Sequence, residues 1–271
     1  MTIEMSLFAV CILFYLFVVA VAAAELPVFP LPEISYQDLL VLDPYTTNDL
    51  KKQLINLGAV QITNIPRFLE AKSDALEDAA ECLRHQDNGI VETTMLDGSV
   101  RYSSFAKSID GVRQSMSHKC GEPSSKLRAL IDASCSQVFK ALDSLLPESS
   151  EAVMAPDYNS FSSLMSKGSR FEHLHAYFPP KSAASAHPNV ATLNYHTDNG
   201  LMIAMTTGFY ENGLPSDKSG LYLTLPNRKN VKVSGKDSSL VLLRPDGRRR
   251  CEMVFSGLRQ GLPCCASCFI R

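Results

Sequence analysis

Apolar residues recur at helical spacing through the first half of the chain and at strand spacing through the second. Over residues 47–58, Leu50, Leu54 and Leu57 share one face, Thr47 or Asn48 is available as a cap, and Gly58 closes the end. That pattern predicts a helix. Residues 59–65 alternate with period two and predict a strand. Residues 66–84 form an amphipathic helix through Phe68, Leu69, Ala75, Leu76, Ala79 and Leu83, and residues 124–146 another through Leu127, Leu130, Ile131, Val138, Leu142 and Leu145. Between these helices, residues 86–121 are polar and glycine-dotted, which predicts short strands and loops. In front of them Pro27, Pro30 and Pro32 exclude a helix and predict an extended linker that enters a first strand.

After Pro147 the helix signal fades. Strands are predicted over residues 171–178, 191–196, 201–207, 220–225, 231–233 and 239–243. Pro179-Pro180, Asn199-Gly200, Asn212-Gly213, Pro226-Asn227 and Pro245-Asp246-Gly247 punctuate them. Short strands with turn signals at intervals of roughly eight to twelve residues predict a β-sandwich or jelly roll. The expected architecture is α+β, a helical N-terminal layer packed on a jelly roll.

Residues 1–24 stand apart. From Met5 to Ala24 there is no charge, a run of about bilayer-spanning length. It ends in Ala22-Ala23-Ala24, which also satisfies the small-residue rule for signal cleavage. The first basic side chain is Lys51, so flanking charge sets no orientation. A cleaved signal peptide, an uncleaved anchor and a buried helix all remain open. The first two place the chain in the secretory pathway or at a membrane, with membrane association through residues 5–24.

Composition narrows the partners. The chain has 271 residues, 45% of them hydrophobic, enough for a sizeable core. A net charge of -2, with the only dense basic run at Arg248-Arg249-Arg250, gives no electrostatic footprint for nucleic acid. The eight cysteines are dispersed, and Cys264-Cys265 with Cys268 lack neighbouring His or Cys partners at zinc spacing. They read as free thiols.

The candidate chemistry sits at His196-Thr197-Asp198, between a predicted strand and the Asn199-Gly200 turn. Residues i and i+2 of a strand point to one face, so an imidazole and a carboxylate are presented together. They make two thirds of the two-histidine, one-carboxylate facial triad, which leaves positions open on iron(II). In isolation His-x-Asp is a weak motif.

Its surroundings resemble the plant-type iron(II)/2-oxoglutarate dioxygenases, the isopenicillin N synthase-like family. His175-Ala176-Tyr177-Phe178-Pro179-Pro180 is similar to the family's Tyr-Pro-Pro strand end, and residues 194–202 to its metal-binding strand. Residues 219–223, 231–233 and 239–243 follow in the family's order. Upstream, Leu26-Pro27-Val28-Phe29 and then residues 54–64 resemble its N-terminal region. The resemblance covers about residues 26–247. With the uncharged run and the divergent tail it divides the chain into four parts: a signal peptide or anchor over 1–24, a helix-rich region over 25–146, a jelly-roll core over 147–247, and an atypical cysteine-rich tail over 248–271. It implies a double-stranded β-helix, iron(II) held by His196 and Asp198, 2-oxoglutarate as co-substrate, and hydroxylation or desaturation of a small molecule.

The chain also departs from the family. His196 is the last histidine, so the distal histidine ligand is absent, as is the Arg-x-Ser that holds the far carboxylate of 2-oxoglutarate. His173, His175, His187, Cys251 and Glu252 are the residues open to completing the metal site. Phe178 stands where many members have a tyrosine beside the co-substrate, and residues 208–219 form a long loop. The switch in character at residue 248 suggests an alternative exon, a retained intron or a frameshift. If the last strands are lost, the sheet carries an unpaired edge. The chain is then a catalytically inactive, truncated dioxygenase-fold protein that acts as a binding or membrane-anchored module.

Overall fold

The computed structural model describes residues 26–84, 89–109, 112–115, 124–146, 160–187, 192–193, 200–210, 219–244, 251–255 and 263–270. Residues 1–24 and most of the strand expected over 191–196 lie outside them. No helix among the described residues is long and apolar enough to cross a membrane.

The N-terminal half begins with short strands β1 (Val28–Pro30) and β2 (Glu33–Ser35), then helices α1 (Tyr36–Leu40) and α2 (Pro44–Asn56). Asp43 caps α2, accepting the Thr46 amide at 2.7 Å, and not Thr47 or Asn48 as the pattern predicts. The Asp-Pro pair explains the earlier start: Asp43 supplies the acceptor, and Pro44 has no N–H to satisfy in the first turn. Strand β3 (Ala59–Thr63) and α3 (Phe68–Arg84) follow. The polar stretch resolves into β4 (Val91–Thr94), β5 (Val100–Ile109) and β6 (Val112–Ser115), and α4 spans Ser125–Asp143.

The helix signal does not end at Pro147. Helix α5 (Phe161–Lys167) is too short to show periodicity and is set by its caps. Ser160 accepts the Ser163 amide at 2.9 Å, while the Asp143 carboxylate accepts Phe161 N at 2.6 Å and Ser162 N at 3.0 Å. One acidic residue at the end of α4 thus satisfies donors at the start of α5. The second half then runs through β7 (Arg170–Phe178), β8 (Met202–Thr206), β9 (Phe209–Tyr210), β10 (Ser219–Thr224), β11 (Asn230–Ser234), β12 (Leu240–Leu243), β13 (Cys251–Phe255) and β14 (Pro263–Ile270).

Two sheets result. The smaller has the order β1-β11-β10-β13; the larger runs β2-β3-β12-β8-β14-β7-β5-β4, with β6 beside β5 and β9 beside β14. The expected unpaired edge is not there. β14 lies between β7 and β8, Cys265 opposite His175 and Ser267 opposite both His173 and Met205, while β13 pairs with β10. Strand pairing is made by backbone groups that every non-proline residue carries. The tail's altered side chains therefore do not stop it from supplying two strands. Strands β2 and β3 share the larger sheet with β12 and β8, so the helix-rich region and the strand-rich region are joined through one sheet.

The larger sheet is covered on both faces. Val60, Ile62, Leu174, Ala176, Ala204, Leu240 and Leu242 pack outward against helix residues that include Phe68, Leu76, Leu83, Val138 and Phe139. Ala59, Ile203, Met205, Val241 and Leu243 face inward, against Leu223 and Val231 of the smaller sheet. This double cover explains why all of β3 is buried despite its period-two pattern. Its inward Gln61 is satisfied internally: Nε2 donates to Leu31 O at 3.0 Å, and Oε1 accepts Lys236 N and Ser239 Oγ, both at 2.9 Å.

Candidate functional site

Strand register carries the inward face from the apolar core to a polar patch. One row of paired residues reads Phe105, His173, Ser267, Met205, Val241 and Gln61 across five neighbouring pairs. His173 thus stands on the face that Met205 and Val241 present to the smaller sheet. Two and four residues further along β7 the same face carries His175 and Tyr177, opposite Ser103 and Arg101 of β5. Period two sends Leu174 and Ala176 to the helix side.

This patch is tightly organised. Ser103 Oγ lies 2.8 Å from His175 Nδ1, and Ser103 and Tyr177 are wholly buried. The rings form an edge-to-face cluster: Phe105 on His173 at 4.8 Å, His173 on His175 at 5.5 Å, and His175 on Tyr177 at 6.4 Å. His175 is held well below the ordinary imidazole value of 6.5, first by burial, then by the charge of Arg101, then by His173. It is a neutral imidazole at pH 7. The Nε of Arg101 is buried and has no hydrogen-bond partner among the described residues.

Phe178 does not stand on this face. It packs edge-to-face on Tyr102 at 5.1 Å, against the helix-side core. Tyr177, one residue earlier, takes the inward position.

The turn between β4 and β5 anchors the chain that leads toward His196. Asp97 Oδ1 accepts Ser99 N at 3.0 Å and Ser99 Oγ at 2.6 Å, and Oδ2 accepts Thr192 Oγ1 at 2.7 Å. Asp97 O accepts His187 N at 2.9 Å. Gly98, at φ 82°, lets the turn approach the 183–185 segment; a Cβ there would lie 1.7 Å from Ser185 O.

His196, Thr197 and Asp198 lie outside the described residues. Their flanks are fixed by the wholly buried Thr192 on one side and by Met202, the first residue of β8, on the other. Of the residues open to completing a metal site, His173 and His175 are on the inward face and His187 is exposed. Cys251 and Glu252, in β13, pair with Leu223 and Tyr222 of β10. Among the described residues no three His, Cys, Asp or Glu side chains are grouped to hold a metal ion. Arg101, Ser103, Asp97 and Thr192 were not singled out by sequence reasoning. The alternation of Arg101, Ser103 and Phe105 with Tyr102, Ser104 and Ala106 was the available signal, within a stretch expected to hold short strands and loops.

No protein-family model matches the chain, and no curated protein matches it in sequence. Solved structures do. A full-length Neurospora crassa protein in complex with alpha-KG is 12% identical with a TM-score of 0.58, over 92% of this chain and 86% of that one. JOX2 in complex with 2OG, Fe and JA is 15% identical with a TM-score of 0.58, over 92% of this chain and 77% of that one. The dioxygenase for auxin oxidation 1 of Arabidopsis thaliana, in a 2-oxoglutarate complex, is 12% identical with a TM-score of 0.60, over 89% of this chain and 92% of that one. The chain shares the fold of these solved structures.

Proposed function

We propose that this chain is a non-haem iron(II)/2-oxoglutarate-dependent oxygenase that hydroxylates or desaturates a small molecule. The observation that carries the reading is the polar patch of buried Ser103, His175 and Tyr177 with half-buried Arg101, on the inward face of a fold shared with oxygenases solved with 2-oxoglutarate. The strand order supports a double-stranded β-helix: β7, β14, β8 and β12 are consecutive in one sheet, and β11, β10 and β13 in the other. The motif order along residues 175–243 favours the isopenicillin N synthase-like branch of the superfamily.

On this reading His196 and Asp198 would hold the iron. An imidazole and a carboxylate suit iron(II), and the i, i+2 spacing presents both to one side. Bound iron and 2-oxoglutarate supply the activation of oxygen. The chain itself supplies a dry wall, Ile203 and Met205 on β8 with Val241 and Leu243 on β12. It also supplies a neutral imidazole at His175, fixed by Ser103, which orients a ligand without adding charge. One ground for an inactive binding module, loss of the terminal strands, is not met, because β13 and β14 pair within the two sheets.

Residues 1–24 are read, on their uncharged run, as a targeting segment for the secretory pathway or a membrane. Succinate release from 2-oxoglutarate in air, with iron(II) and ascorbate, tests the enzyme reading. Slow iron-dependent turnover without added substrate is expected. Complete absence of turnover from folded, iron-loaded protein contradicts it.

A further inference from the structure

We infer that Arg101 is an anion anchor on the inward face, built to take one carboxylate of a bound small molecule. The inference deepens the proposed function and rests on its reading of this face as a ligand pocket. A guanidinium keeps its charge at every accessible pH, and burying part of it without a partner is costly. Three other arginines are paired with carboxylates: Arg128 with Glu172 at 2.6 Å, Arg170 with Asp132 at 2.7 Å, and Arg67 with Glu70 at 2.8 Å. Arg101 differs. Its Nε is buried with no hydrogen-bond partner among the described residues, and its neighbours on the face are Ser103, His175 and Tyr177, none of them a carboxylate.

An oxygenase of this fold must meet a dicarboxylate, and Arg-x-Ser is missing from the tail. Strand β14, between β7 and β8, is Pro-Cys-Cys-Ala-Ser-Cys-Phe-Ile and holds no cation at all. Arg101 reaches the same inward face from β5, on the other side of β7. A lone guanidinium matches a single negative charge and presents parallel N–H donors to a planar carboxylate, whereas a phosphate dianion calls for more cations. The carboxylate has two sources, the far end of 2-oxoglutarate or an acidic substrate.

Calorimetric titration of the full chain, metal-free and with manganese(II), separates them. The ligands are 2-oxoglutarate, 2-oxobutyrate (which lacks the far carboxylate), and benzoate or hexanoate added over saturating 2-oxoglutarate. If the co-substrate is held, 2-oxoglutarate binds more tightly than 2-oxobutyrate and Arg101→Gln removes the difference, a loss of about tenfold or more. If the substrate is held, Arg101→Gln leaves 2-oxoglutarate alone and weakens the monocarboxylates by a similar factor. Arg101→Lys, which keeps the charge without the fork, is expected to fall between and guards against a misfolded Gln variant. Equal affinities within about twofold across parent and both variants, or no carboxylate binding by the folded parent, overturn the inference. A parent that binds no iron but loses carboxylate affinity in Arg101→Gln sinks the oxygenase reading alone. One that binds iron and keeps its affinity sinks the anchor alone.

Discussion

Ser103 Oγ and His175 Nδ1 meet at 2.8 Å inside the larger sheet, joining β5 to β7 at the centre of the polar patch. Burial and the nearby Arg101 charge lower the His175 pKa well below 6.5 in the folded chain. The unfolded chain takes up a proton below about pH 6.5 that the folded chain refuses. Stability from this group is therefore complete above the unfolded pKa and is lost as pH falls beneath it, by at most about 1.4 kcal/mol per pH unit. Urea unfolding of the parent and of His175→Gln at about pH 7.5 and about pH 5.5 checks this. The parent should lose more stability over that interval; equal losses would contradict the assignment.

Thr192 and Asp97 form the second relationship that bears on the site. The hydroxyl of wholly buried Thr192 donates to an Asp97 carboxylate that also serves Ser99 twice. Thr192→Val removes one hydrogen bond to a charged acceptor and should cost about 1.5–3 kcal/mol. Because Thr192 lies four residues before His196, iron affinity should fall by more than the lost stability explains when measured well below the melting temperature. Unchanged stability and iron affinity would show that the contact anchors nothing.

The tail gives a third test. β14 is the backbone partner of both β7 and β8, pairing seven of its residues with β7 and four with β8. A chain ended after Leu262 leaves these two strands without their shared neighbour and exposes edge groups to other chains. It is expected to aggregate or to lose its cooperative thermal transition. A soluble truncated chain that melts with the parent would mean that β14 contributes nothing to the sheet.

The periodic parts of this fold were legible. Helices α3 and α4 and strands β7, β8, β10, β11 and β12 each carry an apolar pattern long enough to declare itself, and each lies close to where the pattern places it. The short elements were not. α5 depends on the Ser160 and Asp143 caps, the second of which reaches across eighteen residues or more of sequence, and neither leaves a local period. β5 was not delimited within the short strands expected over residues 86–121 because its inward residues include Arg101 and Ser103, polar where a core strand is expected to be apolar. β14 was missed because its sequence departs from the family while its backbone still pairs. Of the candidate site, His196 and Asp198 are expected from spacing and resemblance and lie outside the described residues, whereas the Arg101, Ser103 and His175 patch needed the register of β5 on β7.

Iron at His196 and Asp198 is tested most directly by anaerobic iron(II) binding to residues 25–271, with and without 2-oxoglutarate, in the parent and in His196→Ala and Asp198→Ala. About one iron per chain is expected in the parent and a loss of about tenfold or more in affinity in each variant, with both variants still folded. A folded parent that takes up no iron, or variants that bind it as well as the parent does, would rule out iron held by these two residues.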